Sequence, residues 1–303
     1  MTKAQDDEMQ SARSCAAVVL YRPDPAILAR QANGLRGCRL FAFANGPVEP
    51  AVLAALKPTD LRLIESPENV GLGHGLNAVM EAAAAERFSH VMLLDQDSEP
   101  RAGMLETLTQ RFVSLVQDGK SVAILAPRLV PPEEGFYKPI HYEWRGKPHA
   151  SGLAAVDFAP TSGSLVSTTA FAAIGPFRAD FFIAGIDVEW GFRGWDRGWG
   201  SYIATDLTVP HRWGEAVGPD EAGKAQILRH SPLRNYYYAR NVIATACLRH
   251  VPLRWRIKSS AGLAAQIGLL ALKGERGALG PIRAGLADGF RGRLGRSPRE
   301  AAR

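Results

Sequence analysis

Asp95 and Asp97 stand two residues apart in Leu94-Asp95-Gln96-Asp97-Ser98, directly after the apolar run His90-Val91-Met92-Leu93-Leu94. A buried strand that ends this way carries both carboxylates past the sheet's carboxyl edge, where open α/β sheets bind ligands. Hard carboxylate oxygens there suit Mg²⁺ or Mn²⁺ carrying a diphosphate. Taken alone, the pair is also what an ordinary strand-to-helix loop contains. Ahead of it lies Asn69-Val70-Gly71-Leu72-Gly73-His74-Gly75-Leu76-Asn77. Glycines between a strand and a helix let the backbone approach a phosphate or sugar and leave helix amides aimed at it. A permissive helix entry is the other reading of the same residues.

The elements that must position these groups follow from the hydrophobic pattern. Cys15 to Tyr21 reads as a buried strand, Pro25 to Leu35 as a helix and Arg39 to Ala44 as a strand. Val48 to Leu56 then reads as a helix and Leu61 to Glu65 as a strand. This βαβαβ alternation requires a mainly parallel sheet. A long alanine-bearing helix ends near Arg87, the strand before Asp95 follows, Met104 to Gln117 is helical, and Val122 to Ala126 is a fifth strand. Residues 127 to 150, rich in Pro and Gly, read as a loop or hairpin excursion. Short strands at Val156 to Phe158 and Ser164 to Ser167 flank Thr161-Ser162-Gly163. Asp187-Val188-Glu189-Trp190 opens a helix running to Trp199, a strand follows at Tyr202 to Thr205, then Leu207 to His211, and from about Glu221 the chain reads as helical. The expected organisation is a flexible start over 1–13, one α/β domain over 14–220 and a helical, basic extension over 221–303.

Composition bounds the rest. With 303 residues, 46% hydrophobic and 22% charged, the chain has an ordinary globular composition,. Cys15, Cys38 and Cys247 are scattered, which suggests neither a disulfide framework nor a zinc site and suits a reducing cytoplasm,. The first dozen residues are polar, so no secretory signal is expected, and no apolar run has the length to span a bilayer,. The net charge of +6 is uneven: from Arg249 onward there are twelve Lys and Arg against three Asp and Glu. Such a tail suits anionic lipid, nucleic acid or simple solubility. Gly262 to Leu272 within it reads equally as a helix on a membrane surface or as a core helix. Nucleic acid is the weakest of these readings, because interleaved aromatics for base stacking are missing.

Six segments in order carry a family likeness: Asn69-Val70-Gly71 with Asn77; Leu93 to Ser98; Thr161-Ser162-Gly163-Ser164; Phe181-Phe182-Ile183 before Asp187-Val188-Glu189-Trp190 and Arg193; His211 with Gly214 and Glu215; and His230 to Tyr237 with Arg240-Asn241. Together they resemble the family 2 glycosyltransferases of the GT-A fold, and within them bacterial rhamnosyltransferases that use dTDP-L-rhamnose, over roughly residues 15 to 295. The resemblance implies a nucleotide-diphospho-sugar transferase fold, a parallel Rossmann-like sheet flanked by helices. It implies an inverting, metal-dependent transfer of a sugar, most simply L-rhamnose, to a saccharide or lipid-linked saccharide at the cytoplasmic membrane face, in making cell-surface polysaccharide or glycolipid. Asp187 matches the general base, with Glu189 accompanying it. Asp95, Asp97 and His211 match a metal shell for Mn²⁺ or Mg²⁺. Asn45, Asn69, Gly71, Asn77, Asp95, Asp97, Arg193 and Arg234 fall on the donor side, and Thr161, Ser162, Gly163 and Trp190 on the acceptor side. Arg193 and Arg234 read equally as surface or helix-pairing ion pairs, and Trp190 equally as core.

The chain departs from that pattern at Ala44-Asn45-Gly46, where such enzymes carry an acidic residue before Asn, at Tyr21-Arg22, and at Ala184. These departures leave the donor base and sugar open. UDP-galactofuranose on the same scaffold, or a non-catalytic nucleotide or carbohydrate binder, are the alternatives.

Overall fold

The structure, a computed structural model, describes residues 12–130, 142–146, 152–210 and 231–298. Four strands come first: β1 (Ser14–Leu20), β2 (Arg39–Asn45), β3 (Asp60–Ser66) and β4 (His90–Leu94). β1, β2 and β4 are near-continuous apolar runs buried on both faces, as central parallel strands require, whereas β3 shows the mixed burial of an edge,. Three helices make the crossovers: α1 (Pro25–Gly34), α2 (Pro50–Ala55) and α3 (Leu72–Ala85). Asp24 caps α1 by accepting from the Ala26 and Ile27 amides, and a proline opens α1 and α2, where its missing N–H costs nothing,.

Among the described residues β1–β4 form one eight-stranded sheet with β5 (Val122–Val130), β6 (Leu153–Val156), β7 (Ser164–Ser167) and β8 (Gly200–Pro210), in the order β3-β2-β1-β4-β7-β5-β8-β6. After α4 (Met104–Gln117), β5 (Val122–Val130) does not join β4 directly. Instead β7 (Ser164–Ser167) runs antiparallel between the two, with Ser164 opposite Leu93. β8 (Gly200–Pro210) is parallel to β5, and β6 (Leu153–Val156) closes the far edge antiparallel to β8. The strand expected at Val156 to Phe158 therefore lies a few residues earlier. The segment from Thr168 to Ile174, given no element by the pattern, is a helix, α5. Leu207 to Pro210 belongs to β8, continued past an irregularity opposite Pro127 and Arg128.

The antiparallel insertion decides where the site forms. Parallel β1, β2 and β4 all end at one edge, at Leu20, Asn45 and Leu94. Because β7 runs the other way, the residues that enter it, Thr161 to Gly163, come to that same edge beside Asp95; the Gly163 amide donates to the Leu93 carbonyl at 2.7 Å.

One face of the sheet is packed with Val79, Met80, Phe171, Ile174 and Trp190, from α3, α5 and α6 (Ile186–Asp196). The opposite face carries Leu28, Val52, Leu108 and Phe112, from α1, α2 and α4. The C-terminal helices are α7 (Pro232–Ala246), α8 (Leu253–Leu272) and α9 (Arg276–Phe290). They share their own apolar cluster, with Val242, Leu263, Leu270 and Ile282 inside it. Backbones approach closely here: a Cβ on Gly285 would lie 2.2 Å from the Tyr236 carbonyl oxygen, and one on Gly289 would lie 2.8 Å from that of Arg240.

These helices are tied to the sheet domain. Arg254 donates to Asp157, which is buried and also paired with Arg145, and Lys258 pairs with Glu143. Removing everything after Arg249 would therefore strip one of the two guanidinium partners from the buried Asp157 carboxylate, which is destabilising,.

Gly285→Ala is expected to lower stability by about 1–3 kcal/mol, the usual cost of overpacking, seen as a lower denaturant midpoint at unchanged slope. Gly262→Ala is the control: its Cβ meets no heavy atom within 4 Å, and alanine is the better helix former, so the midpoint should hold or rise.

Candidate active site

The loop after β4 is held from both sides. Gln31 on α1, fully buried, donates through Nε2 to the carbonyls of Asp95 and Ser98, each at 2.8 Å. Gln96 pairs with the backbone of Tyr21, accepting from its amide at 2.8 Å and donating to its carbonyl at 3.1 Å. Arg30 and Glu99 form a two-bond pair at 2.8 and 3.0 Å across the loop's far end. Asp95 itself accepts a hydrogen bond from the Ser162 hydroxyl. Ser162, expected near an acceptor, thus orients the first carboxylate of the pair. Thr161 and Asp97 are half-buried at the same edge, and Gly163 supplies the positive φ of +73° that the turn into β7 needs,.

Asp187 arrives from a strained loop. A short 3₁₀ turn, Ala179–Phe181, is followed by Phe182 at φ 65°, Ala184 at φ 69° and Gly185 at φ 76°. Positive φ at two non-glycine residues costs of order 1–3 kcal/mol each, and persists only where surroundings over-determine it. The surroundings here are two buried side chains of α7. Asn241 donates through Nδ2 toward the carbonyls of Phe181, Ile183 and Ala184 at 2.9, 2.8 and 2.8 Å. Arg240 donates to the carbonyls of Phe181 at 2.8 Å, Asp180 at 3.2 Å and Gly295 at 2.6 Å, and its Nε donates to Asn241 Oδ1 at 3.0 Å. Phe182 stacks on Tyr237 with ring centroids 5.0 Å apart, and its carbonyl accepts from the Leu72 amide at 2.6 Å.

The result is a carboxylate in the first turn of α6, opened by Gly185 in the left-handed conformation. Burial pushes the Asp187 carboxyl up from 3.8 to about 6. Hydrogen bonds from the Val188 amide and its own amide oppose that rise, the negative charge of Asp95 adds to it, and Arg234 at the start of α7 opposes it. Asp187, Asp95 and Arg234, far apart in the chain, therefore share one electrostatic neighbourhood.

Other expected site residues have different partners. Arg193 does not face a phosphate: its guanidinium donates to both oxygens of Glu189 at 3.0 and 2.8 Å and to the carbonyls of Ile174 and Pro176. Glu189 is 1% exposed and also meets His250 at 2.9 Å, so both contacts tie it into the base of α6. Trp190 is core: its indole N–H donates to the Gly175 carbonyl at 2.9 Å and its ring lies against Phe177. Asn77 is engaged at both ends by the Phe177 backbone, at 2.9 and 2.8 Å. Asn45 accepts from the Val70 amide and Asn69 from the Gly71 amide. Close approach at the glycines is to the protein itself, since a Cβ on Gly71 would meet Phe182 at 2.7 Å, on Gly73 the Arg178 carbonyl at 2.7 Å, and on Gly75 Val19 at 2.8 Å. His211 lies outside the described residues, with Gly214, Glu215 and His230.

Asp95 and Asp97 offer only oxygen donors at the sheet edge, and Asp187 shares the electrostatic neighbourhood of Asp95, a donor chemistry that fits a divalent cation,. Among the described residues, no three His, Cys, Asp or Glu side chains gather closely enough to hold a metal. Gln31 is a positioning residue that the sequence reading missed, and Arg240 and Asn241 entered it only as part of the family likeness, with no role assigned. Polar residues amid the apolar runs of α1 and α7 were the signal.

Comparison with known proteins gives a consistent picture. Residues 47–170 match the family model described as glycosyl transferase family 2. Over 200 residues the chain is 28% identical to a dTDP-rhamnosyl transferase, RfbF, of Shigella flexneri, covering 63% of this chain and 64% of that one. The chain thus spans just under two thirds of that relative's length. Among solved structures, a GalNAc-T7 with UDP, GalNAc and Mn²⁺ superposes with a TM-score of 0.53 at 11% identity, over 82% of this chain and 54% of the other. A Staphylococcus aureus TarS structure gives a TM-score of 0.47 at 12% identity, over 83% of this chain and 69% of the other.

Asp187 ionises less readily folded than unfolded, so its charge favours unfolding: the penalty is absent below pH 3.8 and complete above about pH 6,. Asp187→Asn is expected to raise the melting temperature at pH 7.5 and leave it unchanged near pH 3.5, measured by thermal unfolding without ligands.

Proposed function

We propose that this chain, which carries a glycosyl transferase family 2 domain over residues 47–170 in a GT-A fold, is an inverting, metal-dependent glycosyltransferase that moves L-rhamnose from dTDP-L-rhamnose onto a saccharide or lipid-linked saccharide. The observation that carries the reading is Asp187: a carboxyl raised to about 6, in electrostatic contact with a sheet-edge carboxylate and an arginine. A base with that value is ionised at neutral pH and still basic enough to take a proton.

Asp187 accepts the proton of the acceptor hydroxyl as that oxygen attacks the anomeric carbon from the face opposite the diphosphate. The bond from that carbon to the phosphate oxygen breaks, and its electron pair leaves with the nucleoside diphosphate. No covalent intermediate is required. Arg234, exposed at the start of α7, offers a guanidinium fork to the donor phosphates,. Asp95 and Asp97 would hold Mg²⁺ or Mn²⁺, with His211 as the further ligand expected from sequence. The ion's contribution when bound is to offset charge on the departing diphosphate. Gln31 holds the Asp95 backbone and Ser162 orients its carboxylate, while Asn241 and Arg240 fix the entry to Asp187, so the two halves are preorganised on separate supports.

The donor assignment draws on the 28% identity to the Shigella flexneri dTDP-rhamnosyl transferase. Ala44, fully buried at the end of β2, stands where the resembling enzymes carry an acidic group. It favours a second reading in which another nucleotide sugar, such as UDP-galactofuranose, is used.

Asp187→Asn is expected to cut turnover about 10²–10⁴-fold with the donor KM little changed, and the wild-type rate should rise through pH 6 to a plateau. Normal turnover in the variant would remove Asp187 as the base. Calorimetric titration with dTDP, UDP and GDP in Mn²⁺ is expected to show metal-dependent preference for dTDP, weakened by Arg234→Ala. Preference for UDP would shift the donor, and binding of none of the three would leave a non-catalytic relative.

A further inference from the structure

We propose that the outer face of α8, with the cations of the α8–α9 hairpin around it, rests on the surface of an anionic lipid bilayer. Along the 20 residues of α8 only Leu263 and Leu270 are buried. From Ser259 to Leu272 the helix has no charged residue. Its inner side is covered by α7 and α9 through the shared apolar cluster. Among the described residues nothing covers its outer side: Leu253, Ile257, Leu269 and Leu272 are 68, 61, 44 and 88% exposed, and Phe290 on α9 is 75% exposed. At about 100° per residue these four α8 positions fall on one half of the helix circumference. A helix apolar on every side belongs to a buried setting.

Charge decides what covers it. Lys273 at the hairpin turn, Arg283 on α9 and Arg291 just after it are exposed, and the chain from Arg249 onward holds nine more cations than anions. A second copy docking by the same face would bring two basic surfaces together, whereas an anionic lipid surface attracts all the cations. The cations at the start of α8 have partners in the protein, Arg254 with Asp157 and Lys258 with Glu143. The basic character of the outer face therefore concentrates toward Lys273 and α9. No helix among the described residues is long and apolar enough to cross a membrane. The geometry is therefore that of a helix lying along the interface with its apolar side below the headgroups.

Adsorption requires neither donor nor base, so its failure is distinct from failure of the transfer reading. The test is co-sedimentation of the full chain with phosphatidylglycerol/phosphatidylcholine vesicles and with pure phosphatidylcholine. The wild type is expected to bind the anionic vesicles at low salt and to be released at high salt. Lys273→Glu with Arg283→Glu should weaken binding about 25-fold or more, at roughly fivefold per cation. Leu269→Glu with Leu272→Glu should abolish it, with the melting temperature unchanged in both because the altered side chains are exposed. The proposal is overturned by equal binding to neutral vesicles, by variants that bind as the wild type does, or by a wild type that binds neither. A dimer that Leu269→Glu with Leu272→Glu dissolves, without vesicle binding, would assign the face to a second copy instead.

Discussion

The site depends on a hydrogen-bonded clamp, Arg240 and Asn241, closing on the carbonyls of residues 180 to 184. Those carbonyls point to one side because Phe182 and Ala184 adopt positive φ, a conformation side chains resist. Without the clamp the loop would relax, and α6, which starts immediately after it, would turn its first-turn carboxylate elsewhere. The clamp is in turn fixed by α9, whose Gly285 and Gly289 let α7 come within backbone contact. The C-terminal helices are thus part of what places Asp187.

Two electrostatic designs sit side by side on α6. Glu189 is fully buried yet surrounded by the guanidinium of Arg193 and the imidazole of His250, so its charge is satisfied and its role is to hold the helix. Asp187, two residues earlier, has backbone amides and a more remote arginine against burial and a neighbouring carboxylate. Its charge is consequently the costly one, and costly charge in a folded chain is what gives a proton acceptor its basicity.

The glycine-rich entry to α3 shows how one pattern serves two physical purposes. Gly71, Gly73 and Gly75 permit close approach, as their type requires, but the neighbours are Phe182, Arg178 and Val19 of the same chain. The helix start is therefore pressed against the loop that leads to Asp187, and the Leu72 amide bonds the Phe182 carbonyl. The support of Asp187 thus extends from α7 to α3.

What the sequence by itself determined is local: the apolar runs of β1, β2 and β4, the crossover helices between them, and hence a parallel edge with Asp95 and Asp97 just beyond it. Hydrophobic periodicity records burial and element type at each position, so these features were legible within a few residues. The family likeness added Asp187. Only the tertiary structure decided that β7 enters antiparallel between β4 and β5, which brings Ser162 to Asp95. It alone turned Arg193 inward to Glu189 and gave Asn77 to Phe177. Among the described residues it also left the outer face of α8 uncovered, where sequence had left a core helix and a surface helix equally open. Strand direction and side-chain pairing depend on contacts between residues tens to hundreds of positions apart. A residue's type limits what it can bond to, but its partner is chosen by the fold that brings the two together.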